Sequence, residues 1–197
     1  MLDLLKIPFR QAKHFKVRDL NNPRRIVGIC LHSMESQEKP DTAETVAAWF
    51  QRGPTNASGP VITSPHYCVD SNSIIQCVQT KDVAFTAGRT GNTHFIHIEL
   101  AGRARQTQAE WLDAYGQSML AVTADLCAAL MRKFGLRNTW LSPADLLALR
   151  DTDWGVGGGG LTSHANISKA YKESTHWDPG PHFPVDHFLG LIRKRLS

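Results

Sequence analysis

One α/β domain, a central mixed β-sheet flanked by helices, is what this 197-residue sequence predicts. Three observations carry that reading. Short apolar runs of strand length occur at 26–31 ("IVGICL") and within "THFIHIELAG", and bounded runs of this kind suit buried strands. Amphipathic stretches with recognisable start and stop signals alternate with them. The chain has the length of one large domain, and 42% hydrophobic with 20% charged residues is an ordinary globular composition. No internal repeat or low-complexity linker divides it.

In chain order, the strand at 26–31 comes first and ends next to His32. "DTAETVAAWFQRG" follows as a helix, with Asp41 as N-cap and Glu44 three residues on in a capping-box pattern. Val46, Trp49 and Phe50 share one face, and Gly53 stops it. Residues 61–69 and 73–78 read as two strands around the turn "DSNS". In "THFIHIELAG", Ile96, Ile98 and Leu100 alternate with Phe95, His97 and Glu99, a strand with one apolar face and one polar face. A long helix is expected from the box Thr107/Glu110 to Gly135, presenting Leu112, Tyr115, Met119, Val122, Leu126 and Leu130. "SPADLLALR" is a shorter helix, capped by Ser142 with Pro143 in its first turn. "DTDWGVGGGGLTS" reads as a flexible loop. The last helix begins near Pro184 and buries Val185, Phe188, Leu189 and Ile192.

Bulk properties narrow the function classes. No apolar run approaches the roughly 20 residues that cross a bilayer. The start, "MLDLLKIPFRQAKHFKVRDL", lacks a clean apolar core and a small-residue cleavage site, so no signal peptide is expected. Cys30, Cys68, Cys77 and Cys127 form no CxxC pair and sit in apolar company, as reduced buried thiols do. A net charge of +4 and a pI near 9.0 favour an anionic partner. The basic residues form no long tract and do not alternate with aromatics, which argues against nucleic acid.

Nine histidines are present, and they are not equivalent. His14 and His187 read as surface residues, and His66 as a hydrogen-bonded structural residue. His32 closes an apolar strand, where α/β sheets hold ligands. His164 follows four glycines. Asp178 sits in "STHWDPGPHFP", a segment stiffened by three prolines around His176, Asp178 and His182. Two imidazoles and a carboxylate suit zinc, with a fourth position left for water in a catalytic site. Spacing alone does not select this set. His94 and His97, three apart, would point to opposite faces of a strand, which excludes them as a joint site.

The ordered features "ICLHSMES", "SPHYCVD", "FTAGRTGNTHFIHIELAG", "LTSHANIS" and "DPGPHFP" resemble the zinc-dependent N-acetylmuramoyl-L-alanine amidase family, type 2, which includes phage lysins, cell-wall-recycling amidases and peptidoglycan recognition proteins. The resemblance runs from about Ile26 to the C-terminal helix, and its style is similar to the amidase domain of an actinobacterial phage endolysin. It implies an amidase catalytic domain over 26–197, with 1–25 as an N-terminal extension packed on it. It implies one zinc ion held by His32, His164 and Asp178, with Glu99 as catalytic carboxylate and His176 as transition-state partner. The implied reaction is hydrolysis of the amide between N-acetylmuramic acid and the first L-alanine of the stem peptide. Peptidoglycan is then the partner, met by a monomer with no role for nucleic acid or membrane. Synthesis in the host bacterial cytoplasm and action at the cell wall follow for a phage lysin.

Three departures mark this chain. His176 stands where recycling amidases carry lysine. Pro65 stands where some relatives have tyrosine. The segment from His164 to Asp178 is a few residues longer, which should add a bulge or loop beside the site. Arg89, Arg103 and Arg105 lie near the Glu99 strand and are candidates to meet wall anions or to be plain solvated residues. The alternative function is a non-catalytic peptidoglycan-binding module or a regulatory protein-binding relative. A binding-only version should lack a metal ligand or the catalytic acid, and this chain has both.

Overall fold

The computed structural model describes residues 2–17, 25–152, 154 and 159–197. Its elements in chain order are β1 (Gly28–Ser33), α1 (Thr42–Arg52), β2 (Thr55–Asn56), β3 (Gly59–Pro60), β4 (Tyr67–Val69), β5 (Ile74–Gln76), α2 (Gly88–His94), β6 (Phe95–Leu100), α3 (Gln108–Trp111), α4 (Ala114–Phe134), α5 (Pro143–Asp151), β7 (Gly160–Ser163), α6 (His164–Tyr171) and α7 (Val185–Leu196). A five-stranded sheet runs in the order β5-β4-β6-β1-β7. β4, β6, β1 and β7 are mutually parallel, and β5 turns back antiparallel on β4. The mixed sheet flanked by helices in one domain is the expected architecture.

Register sorts the side chains into two layers, because residues paired across parallel strands share a face. Ile29, Leu31, Ile96, Ile98, Leu100, Tyr67, Val69 and Leu161 join the main core with α4 and α7. Trp111, Met119, Leu120, Leu126, Leu130, Phe188 and Ile192 are fully buried there, and each such side chain stabilises the fold by about 1.5–3 kcal/mol. Cys30, Phe95 and Cys68 occupy the opposite face, under α5–α6 on one side and α1 on the other. His32 and Glu99 are register partners and share that second face. The polar face of β6 is therefore not solvated: all six of its residues are buried.

Several expectations are corrected. Asp41 makes no side-chain cap bond to α1, so the Asp41/Glu44 box does not form. The Ala43 amide instead donates to the Asp70 carboxylate at 2.9 Å, a cap supplied from the β4–β5 turn. Trp49 is exposed, and the buried face of α1 is Ala43, Ala47 and Phe50. The expected strand over 61–69 shrinks to Tyr67–Val69. The long helix is two helices: Thr107 and Glu110 form their box on α3, and Asp113 then accepts from the Gly116 amide to start α4. Gly135 ends α4 in the left-handed region. In α7, Phe188 and Ile192 are buried, while Val185 and Leu189 are half-buried. The stretch 151–163 was expected as one flexible loop. Residues 153 and 155–158 lie outside the described residues, but Gly160–Ser163 form strand β7 on the sheet edge. α2 and α6 are additions that no cap-and-period signal announced.

The four cysteines are free and buried. Cys68 and Cys77 lie with their sulfurs 3.8 Å apart, as thiols. Within residues 2–17, Ile7 and Ala12 are buried, and the Arg10 and Ala12 amides donate to Gln76 and Cys77 along β5.

Candidate metal centre

β1, β6 and β7 run parallel, so their carboxyl ends open on one side of the sheet, where α/β folds place ligands. His32 is the next-to-last residue of β1, Glu99 the next-to-last of β6, and His164 opens α6 directly after β7. Ser163 caps that helix through the Asn166 amide, which sets the turn that aims His164. Asp178 arrives from the opposite direction. Its peptide bond to Pro179 is cis, and Gly180 adopts a φ of +98°. A Cβ at Gly180 would sit 1.8 Å from the Ala104 carbonyl oxygen, so only glycine lets this turn lie against the loop after β6. The Asp178 carbonyl also accepts the Ala165 amide at 3.0 Å, tying the turn to the start of α6.

These constraints bring His32 Nδ1 to 3.0 Å from Asp178 Oδ2 and His164 Nδ1 to 3.2 Å from Asp178 Oδ1. All three residues are buried, and their ligand atoms lie within 4.8 Å of one another. His176 stacks on His164 with ring centroids 4.7 Å apart. Its Nδ1 is 3.5 Å from Asp178 Oδ1, and its side chain is largely exposed. His176 thus sits over the site on the solvent side. The residues between His164 and Asp178 form α6 and then a loop. In that loop, Ser174 Oγ accepts the His176 amide and contacts His164 Nε2 at 3.1 Å. Pro65 is buried.

Charge states follow from burial and neighbours. Burial lowers the His32 imidazole to about 4, against the pull of Asp178, so it is neutral. Burial opposes ionisation of Asp178, but the contacts from His164, His176 and His32 outweigh it and hold the carboxyl far below the usual range. Glu99 is pushed the other way, well above the ordinary carboxylate value, by burial and then by Asp178 and Glu35. Contact with Asp178 raises the His176 imidazole. The two carboxyl groups of the site are thus driven in opposite directions, Asp178 towards the ionised form and Glu99 towards the neutral one, which marks the cluster as a candidate functional site.

The donor set fits a divalent cation such as zinc. Two imidazole nitrogens and a carboxylate oxygen converge within 4.8 Å, and nitrogen and oxygen donors of this kind are those that zinc takes in a three-ligand site. Among the described residues a second cluster, Cys30, His32 and His97, also has metal-ligating atoms. It fits less well. Burial, and then Asp178 and Glu99, push the Cys30 thiol well above its ordinary value, which disfavours the thiolate that a metal needs. His94 is on α2, stacked on Trp154, away from His97 on β6, which agrees with their exclusion as a pair.

Beside the metal centre lies a groove of about 600 Å³, lined by Trp140, Lys169, Lys172, His176 and Trp177 among others. Trp177 is 54% exposed. The groove places cations and an aromatic face within reach of the centre, an arrangement that no spacing in the sequence announced. Arg89 and Arg105 are exposed and Arg103 is half-buried.

Residues 22–181 match the N-acetylmuramoyl-L-alanine amidase family, type 2. The chain belongs to that family. Solved structures share its fold. Staphylococcus aureus hydrolase AmiA, determined in complex with its ligand, superposes with a TM-score of 0.68 at 20% identity, covering 99% of this chain and 85% of its own. An AmpD derivative gives 0.64 at 18% identity over 98% and 99% of the two chains. A mutant endolysin from Bacillus subtilis gives 0.59 at 18% identity, also over 98% and 99%. A search of curated protein sequences gives no match. Among the described residues, no helix of this amidase-family chain is long and apolar enough to cross a membrane.

Proposed function

We propose that this chain is a zinc-dependent amidase that cleaves the bond between N-acetylmuramic acid and L-alanine in peptidoglycan. The observation that carries the reading is the convergence of His32, His164 and Asp178 next to the buried Glu99, in a member of the amidase family. In this reading those three residues hold one zinc ion. Bound there, the ion would supply Lewis acidity, lowering the pKa of a water from 15.7 towards about 7 and polarising the scissile carbonyl.

The protein's own groups do the rest. Glu99 in its ionised form takes a proton from the attacking water, is helped to hold it by its buried surroundings, and delivers it to the leaving amine. His176 donates to the developing oxyanion from the solvent side, in the place where relatives use lysine. Lys169 and Lys172 meet stem-peptide carboxylates, and the Trp177 ring covers the apolar face of the substrate. Residues 26–197 are the catalytic unit, with 1–25 as an extension along β5. Action at the bacterial wall as a monomeric phage-type lysin, without nucleic-acid or membrane partners, completes the proposal.

Digestion of purified peptidoglycan by the zinc-loaded protein, followed by mass spectrometry, tests it. Free stem peptides with an L-alanine amino terminus and intact glycan strands are expected. Cleaved glycans, cut crossbridges or unchanged wall would sink the reading, the last in favour of a binding module.

A further inference from the structure

Behind His32, away from the proposed ion, lies a chain of three buried histidines from three segments. His32 Nε2 is 3.0 Å from His97 Nδ1. His97 Nε2 is 3.2 Å from the Gly91 carbonyl oxygen in the middle of α2. The His97 backbone amide donates to His66 Nδ1 at 3.0 Å, and His66 Nε2 faces the Asp82 carbonyl at 3.3 Å. The His66 and His97 rings stack at 5.7 Å. Both residues are 0% exposed and His32 is 1% exposed. Neither His66 nor His97 has a place in the amide-cleaving chemistry described above.

The two carbonyls determine where the protons are. A carbonyl oxygen only accepts, so His97 Nε2 carries a proton and gives it to Gly91. A neutral His97 with its proton on Nε2 presents a bare Nδ1. The contact at 3.0 Å is filled by a proton on His32 Nε2. A neutral His32 with its proton on Nε2 has its lone pair on Nδ1, the atom that faces Asp178. At the other end the same logic holds: His66 Nδ1 is the acceptor for the His97 amide, leaving its Nε2 proton for Asp82.

We propose that His97 is a positioning residue that fixes the tautomer and ring orientation of His32, so that Nδ1 is presented bare to the metal position, with His66 anchoring the strand that carries His97. The proposal rests on the zinc reading for its functional consequence, but not for the proton arrangement itself. Metal-bound histidines are held in this way by partners of their second nitrogen, and losing such a partner typically lowers metal affinity about 10–100-fold. Here the partner is another histidine, which combines an acceptor for His32 with a donor that anchors its own ring.

The test compares wild type with His97→Leu, which removes the acceptor, and His97→Asn, whose Oδ1 can take the place of Nδ1. Nitrogen-15 NMR of the zinc-free proteins at neutral pH reads the His32 tautomer, chelator competition with zinc reads affinity, and circular dichroism checks the fold. Wild type is expected to hold His32 with the proton on Nε2. His97→Leu should show mixed tautomers and zinc affinity lower by about 10–100-fold, and His97→Asn should restore both to within a few-fold. A His32 proton on Nδ1 in wild type, or a folded His97→Leu with wild-type tautomer and affinity, overturns the proposal. Should His97→Leu fail to fold, the wild-type spectrum and His97→Asn decide alone. Failure of wild type to bind zinc would instead strike the metal reading, because the tautomer spectra need no metal.

Discussion

His32 Nδ1 and Asp178 Oδ2 stand 3.0 Å apart although 146 positions separate the two residues in the chain. One ends a buried strand and the other sits in a proline-bounded turn, so the pair joins the sheet to the C-terminal segment. Replacing either removes a proposed ligand and leaves its partner buried. His32→Ala and Asp178→Ala should each abolish stoichiometric zinc binding and amide cleavage, measured by metal analysis of the purified proteins and by peptide release. Tightly held zinc in both variants would reject this ligand assignment.

In the proposed mechanism Glu99 carries the proton and holds no metal. Its register partner is His32, yet it is not one of the three converging ligands. Glu99→Gln keeps the shape and removes the proton carrier. Zinc content should stay near one per chain while turnover falls by roughly 10²–10⁴. Near-normal turnover would take Glu99 out of the mechanism.

His176 is more exposed than the residues beneath it, so its loss should disturb chemistry more than folding. His176→Ala is expected to retain zinc and to lower turnover roughly 10²–10³-fold, the usual cost of one oxyanion donor. His176→Lys, which keeps a cationic donor at the same place, should recover part of that loss. Unchanged kinetics in His176→Ala would assign the residue to the surface alone.

Gly180 gives a purely structural prediction. Its φ of +98° and the 1.8 Å approach of a Cβ to the Ala104 carbonyl make Gly180→Ala costly, by at least about 2 kcal/mol. The same change displaces the turn bearing Asp178, so zinc affinity should fall together with the denaturation midpoint. A variant as stable as wild type with full affinity would show that the turn does not aim Asp178.

The capping box of α5 carries a pH signature far from the metal. Ser142 and Asp145 cap each other, and hydrogen bonds from the Ser142 hydroxyl and amide lower the Asp145 carboxyl below its ordinary value. A depressed carboxylate contributes stability above its unfolded pKa and loses it as pH falls through the folded one. Asp145→Asn should therefore be less stable than wild type at neutral pH, with the difference fading below about pH 4. A difference that persists unchanged in acid would rule out the ionised cap as its source.

The catalytic constellation was legible only in part. Strand and cap patterns placed β1, β6, α5 and α7, because each carries its signal locally: apolar runs, or Ser142 before Pro143. The grouping of His32 with His164 and Asp178 came from the ordered motifs of the amidase family, since no local rule links residues so far apart. The misreadings have both tertiary and local origins. Asp70 displaced Asp41 as the cap of α1. Asp113 restarted a helix that periodicity ran together. Glycines 159 and 160 read as loop, yet Gly160 begins β7 under the Thr139 carbonyl, where a Cβ would not fit. His97 was visible only as a polar residue of an alternating strand. Its role depends on Gly91 and His32, which the fold alone brings to it.

Zinc-edge anomalous diffraction from crystals of the zinc-loaded protein addresses the central claim most directly. One peak is predicted about 2.0–2.2 Å from His32 Nδ1, His164 Nδ1 and an Asp178 carboxylate oxygen, with Glu99 outside bonding distance. A peak between Cys30 and His97, or none at the three residues, would contradict the account.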